Sequence, residues 1–132
     1  MSPPTAQPPR QRPKYYDLNL LNLPAPGLLS IFHRISGAVM FLVLIPLLLF
    51  MLQQSLQSEA GFQQWKSWLS HPLCKLIALG FIWSYLHHFF AGIRYLLLDV
   101  HWGIKKESAQ ASAKAVLVLG VLGTALIGAW LW

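Results

Sequence analysis

The chain has 132 residues, of which 55% are hydrophobic and 11% charged, whereas soluble domains are about one quarter charged. Too little polar surface remains to coat a water-exposed globule, and the apolar content also excludes a disordered or collagen-like chain. The lone cysteine, Cys74, excludes an internal disulfide framework, and the +6 net charge is carried by scattered basic residues that flank apolar runs, a pattern of membrane topology and not of nucleic-acid binding.

Residues 1–27 read as a disordered or interfacial N-terminal segment. Pro3, Pro4, Pro8, Pro9 and Pro13 crowd a stretch with almost nothing apolar to bury, which suits an extended tail. Arg10 and Arg12 are not followed directly by an apolar core, so this is not a signal peptide. Tyr15 and Tyr16 suit a headgroup layer, and Pro24-Ala25-Pro26-Gly27 is expected to stop any helix from running through it. The remainder, 28–132, is one all-α integral membrane domain with three transmembrane helices, at about 28–52, 72–98 and 114–132. The first run is long enough to cross ~30 Å of hydrocarbon at ~1.5 Å per residue, with a kink expected at Pro46. A polar connector, 53–70, carries Trp65 and Trp68 as interfacial anchors. Ser70-His71-Pro72 opens the second run, the serine as cap and the proline in the first turn. A polar loop, 99–114, leads to the third run, in which Gly120, Thr124 and Gly128 form a small-residue ridge for close helix packing.

Arg10, Arg12, Lys14 and Arg34 precede or open the first span, Lys66 alone marks the first connector, and Lys105, Lys106 and Lys114 mark the second. By the positive-inside rule the N-terminus and the second loop face the cytoplasm. The lack of a targeting presequence points to a multi-pass protein of the bacterial inner membrane.

A charge at mid-membrane costs about 2.5–3.5 kcal/mol on insertion scales, so two polar clusters are the candidate sites. The first is Ser30-Ile-Phe-His33-Arg34-Ile-Ser36-Gly37. Ser30 and Arg34 are one helical turn apart and share a face with small residues, which makes a hydrogen-bonding pocket for a flat ligand. His33 and Arg34 equally suit basic side chains snorkelling to the interface. The second cluster is His87-His88-Phe-Phe-Ala91-Gly92-Ile93-Arg94. His88 lies eleven residues before Asp99, roughly 16 Å below that helix end and near the midplane. A neutral imidazole at that depth serves as an axial haem ligand or hydrogen-bonds to a neighbouring helix. Arg94 lies nearer the cytoplasm on the His87 face and could reach an anion above. Periodicity alone does not choose between His87 and His88.

At these clusters the chain resembles the bacterial cytochrome b membrane-anchor subunits of succinate dehydrogenase, respiratory complex II. The likeness runs from Arg12-Pro13 through Ser30, His33, Arg34, Ser36 and Gly37 to His88-x-x-x-Gly92-Ile93-Arg94 and Asp99. It implies an anchor that pairs with a second small three-helix chain and holds an iron–sulfur subunit and a flavoprotein subunit on the bilayer. It implies electron transfer from succinate to ubiquinone in the tricarboxylic acid cycle and respiratory chain. Ser30 and Arg34 match quinone-site positions, and His88 matches the axial ligand of a haem b shared with the partner anchor. His33, Arg34 and Arg94 are then placed near haem propionates. Tyr95 stands where the family often has histidine. The chain has no flavin or iron–sulfur motif of its own, so it is not catalytic alone. A fumarate reductase anchor and a cofactor-free structural anchor remain as alternative readings. A pore is disfavoured, since three helices with one short polar face scarcely enclose one.

Overall fold

The computed structural model describes residues 23–132; the expectations for the proline-rich tail and for residues 14–21 fall outside that range. Four helices follow in order: α1 Ala25–Gln57, α2 Glu59–Ser70, α3 Pro72–Asp99 and α4 Lys106–Leu131. Three of them, α1, α3 and α4, are long and apolar enough to cross a membrane, so the protein is an all-α integral membrane protein. The short α2 joins the first span to the second.

As expected, no helix runs through the proline pair before Gly27, since Pro24 is extended. Helix α1 begins at Ala25 with Pro26 in its first turn, where a missing N–H costs nothing because the first four amides have no intrahelical acceptor. The segment therefore also opens the helix, which starts at Ala25 and not at about 28. Deeper in the span, Met40–Leu44 form a π-helical turn just before Pro46. Proline removes one donor and crowds the preceding turn, and a widened turn next to it keeps the chain helical through the hydrocarbon.

The polar connector is largely helix. Ser58 caps α2 by accepting a hydrogen bond from the Gly61 amide at 3.0 Å, and Gln63 donates to Glu59 one turn earlier. A side chain at Gly61 would collide with the Gln54 carbonyl, so glycine is what lets α2 fold back against the end of α1. At the start of α3 the cap is His71, whose Nδ1 accepts from the Leu73 amide at 3.3 Å, while the Ser70 hydroxyl donates backwards to the Lys66 carbonyl. The other loop is also shorter than expected, because α4 starts at Lys106. Its first turns are rich in alanine, the strongest helix former, and extend the helix beyond the apolar part of the span.

Helix α4 lies along α3, and α1 leans on both. The interior is small: Leu29, Ala91, Ala113 and Val116, together with Ser36, Ser84, His87 and Arg94, are the side chains buried there. Most large apolar side chains, among them Phe41, Leu49 and Leu126, face outward, which the bilayer makes favourable. With lipid as apolar as leucine, close backbone approach rather than side-chain burial holds such helices together. The small-residue ridge of α4 does this here: Gly120 meets the Cα and Cβ of His87, and Gly128 meets Leu79. Thr124 donates to the Gly120 carbonyl at 2.7 Å, which keeps its hydroxyl satisfied inside its own helix.

Substitution at Gly120 should grade with size. A methyl would sit at 3.6 Å from His87, an ordinary contact, so Gly120→Ala should leave thermal denaturation in detergent nearly unchanged. Gly120→Leu should lower stability by about 1–3 kcal/mol as α4 is wedged away from α3.

Candidate functional site

Ser84, His87, Ala91 and Arg94 recur at three- and four-residue spacing on α3, and all four are buried. This face meets α1 and α4. His88 is one residue, about 100°, further round the helix, and so shares a stripe with Gly92 and Tyr95 that is half-buried against α1. The adjacent histidines therefore occupy different environments.

His87 is fully buried. Its ring stacks on Trp83 with centroids 5.1 Å apart and receives the edge of Phe32 at 5.9 Å, while Gly120 closes the α4 side. Neither ring nitrogen has a hydrogen-bond partner among the described residues; the Leu29 backbone lies close by but without hydrogen-bonding geometry. Enclosed on these sides, the His87 ring has no room beside it for a broad ligand.

His88 is held by polar contacts. Its Nδ1 lies 3.1 Å from the His33 carbonyl oxygen and 3.3 Å from the Ser36 hydroxyl, and that hydroxyl lies 3.0 Å from the same carbonyl. A carbonyl oxygen only accepts, so a lone pair on Nδ1 facing it would be repulsive. The proton must therefore sit on Nδ1 and point at the His33 carbonyl, with the Ser36 hydroxyl donating to that same oxygen. This leaves the lone pair on Nε2, which has no partner among the described residues. An imidazole whose second nitrogen is anchored to a carbonyl is the arrangement found behind metal-bound histidine. Among the described residues, groups of three or more metal-ligating side chains are lacking, but a haem iron needs only one axial ligand from a chain. The donor set fits that group.

Two reciprocal contacts place the rings. His88 lies over Gly37 of α1, where an added Cβ would come within 2.9 Å of its Cε1, and His33 lies over Gly92 of α3, with 3.9 Å to the corresponding position. The two imidazoles stack at 4.2 Å with planes 14° apart, and Tyr95 stands 5.1 Å from His33. His33, Ser36, Gly37, His88, Gly92 and Tyr95 thus form one cluster where α1 crosses α3. Of these, Ser36 had been legible only as part of a motif. Its partner is fifty-two positions away, and no spacing rule within one helix points to it.

Ser30 and Arg34 sit one turn apart on α1, Ser30 half-buried and Arg34 exposed. Among the described residues no ion pair or hydrogen bond engages the Arg34 guanidinium. Arg94 lies on the buried His87 face, as its spacing predicts. Its Nε donates to Ser112 at 2.9 Å and its Nη2 to the Ala109 carbonyl at 3.0 Å, so it staples α3 to α4. Six residues beyond His88, a side chain is rotated by about 240° around the helix, which is why the two cannot share a face.

The chain matches the family described as succinate dehydrogenase/fumarate reductase transmembrane subunit over residues 8–127. It is similar to the succinate dehydrogenase cytochrome b556 subunit of Coxiella burnetii, with 34% identity over 123 residues, 92% of this chain and 98% of that one. It is 29% identical to the protein of the same description from Paracoccus denitrificans, over 84% of this chain and 85% of the relative. A succinate dehydrogenase cytochrome b560 subunit of Reclinomonas americana is 32% identical over 91% of this chain and 85% of its own length.

The His88 tautomer is open to measurement. Nitrogen-15 NMR of histidine-labelled protein should show His88 protonated at Nδ1. Gly37→Ala should displace that resonance, because the new methyl occupies the space of the ring and drives Nδ1 off the His33 carbonyl. A Gly37→Ala spectrum identical to that of the unmodified protein would contradict this geometry.

Proposed function

The chain belongs to the succinate dehydrogenase/fumarate reductase transmembrane subunit family, as a cytochrome b membrane anchor of complex II, and from that premise we propose what its residues do. The chain holds haem b through His88 and, with Ser30 and Arg34, helps form the site where ubiquinone is reduced. The observation that carries the haem assignment is the Nδ1–H of His88 fixed on the His33 carbonyl, which leaves the Nε2 lone pair free for a ligand. His87 is the weaker candidate, since Trp83, Phe32 and Gly120 surround it. The second axial ligand comes from a second small anchor subunit packed on the outer side of His88. His33 and Arg34 are placed to meet the propionates. Arg94, tied to Ser112 and Ala109, is not needed for them in this assignment.

When bound, the haem supplies a one-electron store beside the quinone. Ser30 and Arg34 act on the quinone itself. The serine hydroxyl and the guanidinium donate hydrogen bonds to a quinone carbonyl oxygen, and these bonds strengthen as negative charge builds there during reduction. Because the site lies between lipid and protein, water competes weakly for that charge. Both residues open the span that follows Arg10, Arg12 and Lys14, whereas the connector at its other end carries Lys66 alone. This supports a cytoplasmic location, next to an iron–sulfur subunit that receives electrons from a flavoprotein subunit. The anchor itself supplies placement and stabilisation rather than succinate chemistry. The bilayer is the bacterial inner membrane.

The family description covers both succinate dehydrogenase and fumarate reductase anchors, and the quinone that the purified complex turns over distinguishes them. In the complex purified through this chain, a pyridine haemochrome assay should detect haem b, and His88→Ala should abolish the b-type spectrum while His87→Ala retains it. Retention in the first variant would remove the ligand from position 88. Ser30→Ala should slow ubiquinone reduction about tenfold, the order of one hydrogen bond, with haem content unchanged. Loss of assembled complex without a selective loss of quinone turnover would instead favour a cofactor-free anchor.

A further inference from the structure

A second polar site lies at the α3–α4 turn, on the side of α3 facing away from His88. A cleft of about 510 Å³ is lined there by Arg94, Lys105, Ser108 and Ser112, with Trp102 and Ile104 among its apolar walls. Among the described residues no acidic side chain lines it, Asp99 and Glu107 included. Arg94 is only 5% exposed. Two of its nitrogens are held by Ser112 and Ala109, and the third, Nη1, has no partner among the described residues although the guanidinium forms part of the cleft wall. The turn ends α3 with paired hydrogen bonds, His101 N–H to Leu98 and Trp102 N–H to Leu97, with His101 in the left-handed region at φ 64°. This Schellman geometry sets the start of α4 beside Arg94. Helix α4 begins without a side-chain cap, and its first internal bond comes from the Ala109 amide, so the preceding amides keep their donors unpaired at the cleft edge.

A buried cation with an open nitrogen, a lysine, two hydroxyls and uncapped amides all favour an anion with several acceptor oxygens. The apolar walls narrow the choice. Trp102 is 69% and Ile104 57% exposed, costly in water but favoured at the bilayer interface, and α3 ends its apolar run at Asp99 just beside them. The cleft therefore stands where hydrocarbon gives way to headgroups. We propose that it binds the phosphate of an anionic phospholipid, with Arg94, Lys105, Ser108 and the first α4 amides on the phosphate oxygens and Trp102 and Ile104 along the glycerol and upper acyl region. A free phosphate would leave those apolar walls unused. Such a lipid would pin the α3–α4 turn to one leaflet, and it requires neither haem nor quinone.

The test uses the intact complex, delipidated in detergent and titrated with phosphatidylglycerol, diacylglycerol or inorganic phosphate, with bound lipid counted by native mass spectrometry. The unmodified complex should retain phosphatidylglycerol at the tightest site and retain diacylglycerol poorly. Inorganic phosphate should compete only at far higher concentration. The double variant Lys105→Glu, Ser108→Asp should weaken that site roughly tenfold, since each basic charge near the surface contributes measurably to anionic lipid binding. Lys105→Gln, which adds no repulsion, should weaken it by a smaller factor and serves if the double variant fails to assemble. Unchanged phosphatidylglycerol retention in the assembled variants would overturn the proposal. Competition by inorganic phosphate at concentrations matching the lipid would also overturn it in favour of a free-anion site. Loss of the iron–sulfur subunit with lipid retention intact would overturn it in favour of a protein docking surface.

Discussion

The His33 carbonyl oxygen, where α1 crosses α3, is the acceptor on which the site depends. It receives the Ser36 hydroxyl from its own helix and the Nδ1–H of His88 from the next. In hydrocarbon a polar group without a partner costs several kcal/mol, so this arrangement is both a constraint and an orientation. It fixes which nitrogen of His88 is protonated and holds the ring against Gly37. The facing His33–Gly92 contact makes the crossing reciprocal, each imidazole lying over a glycine of the other helix. At Gly37 the close approach needs the missing Cβ, which would come within 2.9 Å of His88, whereas a Cβ at Gly92 would meet His33 at an ordinary 3.9 Å.

From that crossing, the two sides of α3 take different work. The inward side, Ser84 to Arg94, joins the span to α1 and α4 through a buried aromatic cluster around His87 and a hydrogen-bonded arginine. The outward side carries His88 at mid-span. It continues through Tyr85, Phe81 and Cys74 into a broad apolar groove bounded by α1 and α2. On this outward side the polar contacts gather around His88, and the stretch from Tyr85 to Cys74 is apolar. The α3–α4 turn adds a third, separate polar locus, reached through Arg94 rather than through either histidine.

Much of this was legible from composition and spacing. Hydropathy over three long runs is enough for three spans, because a bilayer demands about twenty apolar residues per crossing whatever they touch. The spacing of His87 and Arg94 already put those two on one face, where the structure buries both. The helix α2 was not legible. Twelve residues with a glycine and few apolar positions carry little periodic signal, and their helix depends on the Ser58 cap and on leaning against α1. Ser70 does not cap α3 although a serine at a helix start commonly does, because the backbone angles and the Leu73 amide make His71 the cap.

What the amino-acid order determined by itself was membrane residence, the number of crossings, and which residues share a helical face, all consequences of periodicity and of the cost of polar groups in lipid. The tertiary structure alone decided which neighbour each face meets. It set His87 among aromatic rings and His88 beneath a carbonyl, and it turned Arg94 toward α4 and away from His88. Helical spacing fixes angles around one axis, whereas partners belong to the packing of several axes, and that packing rests on contacts such as Gly37 with His88 that lie some fifty residues apart.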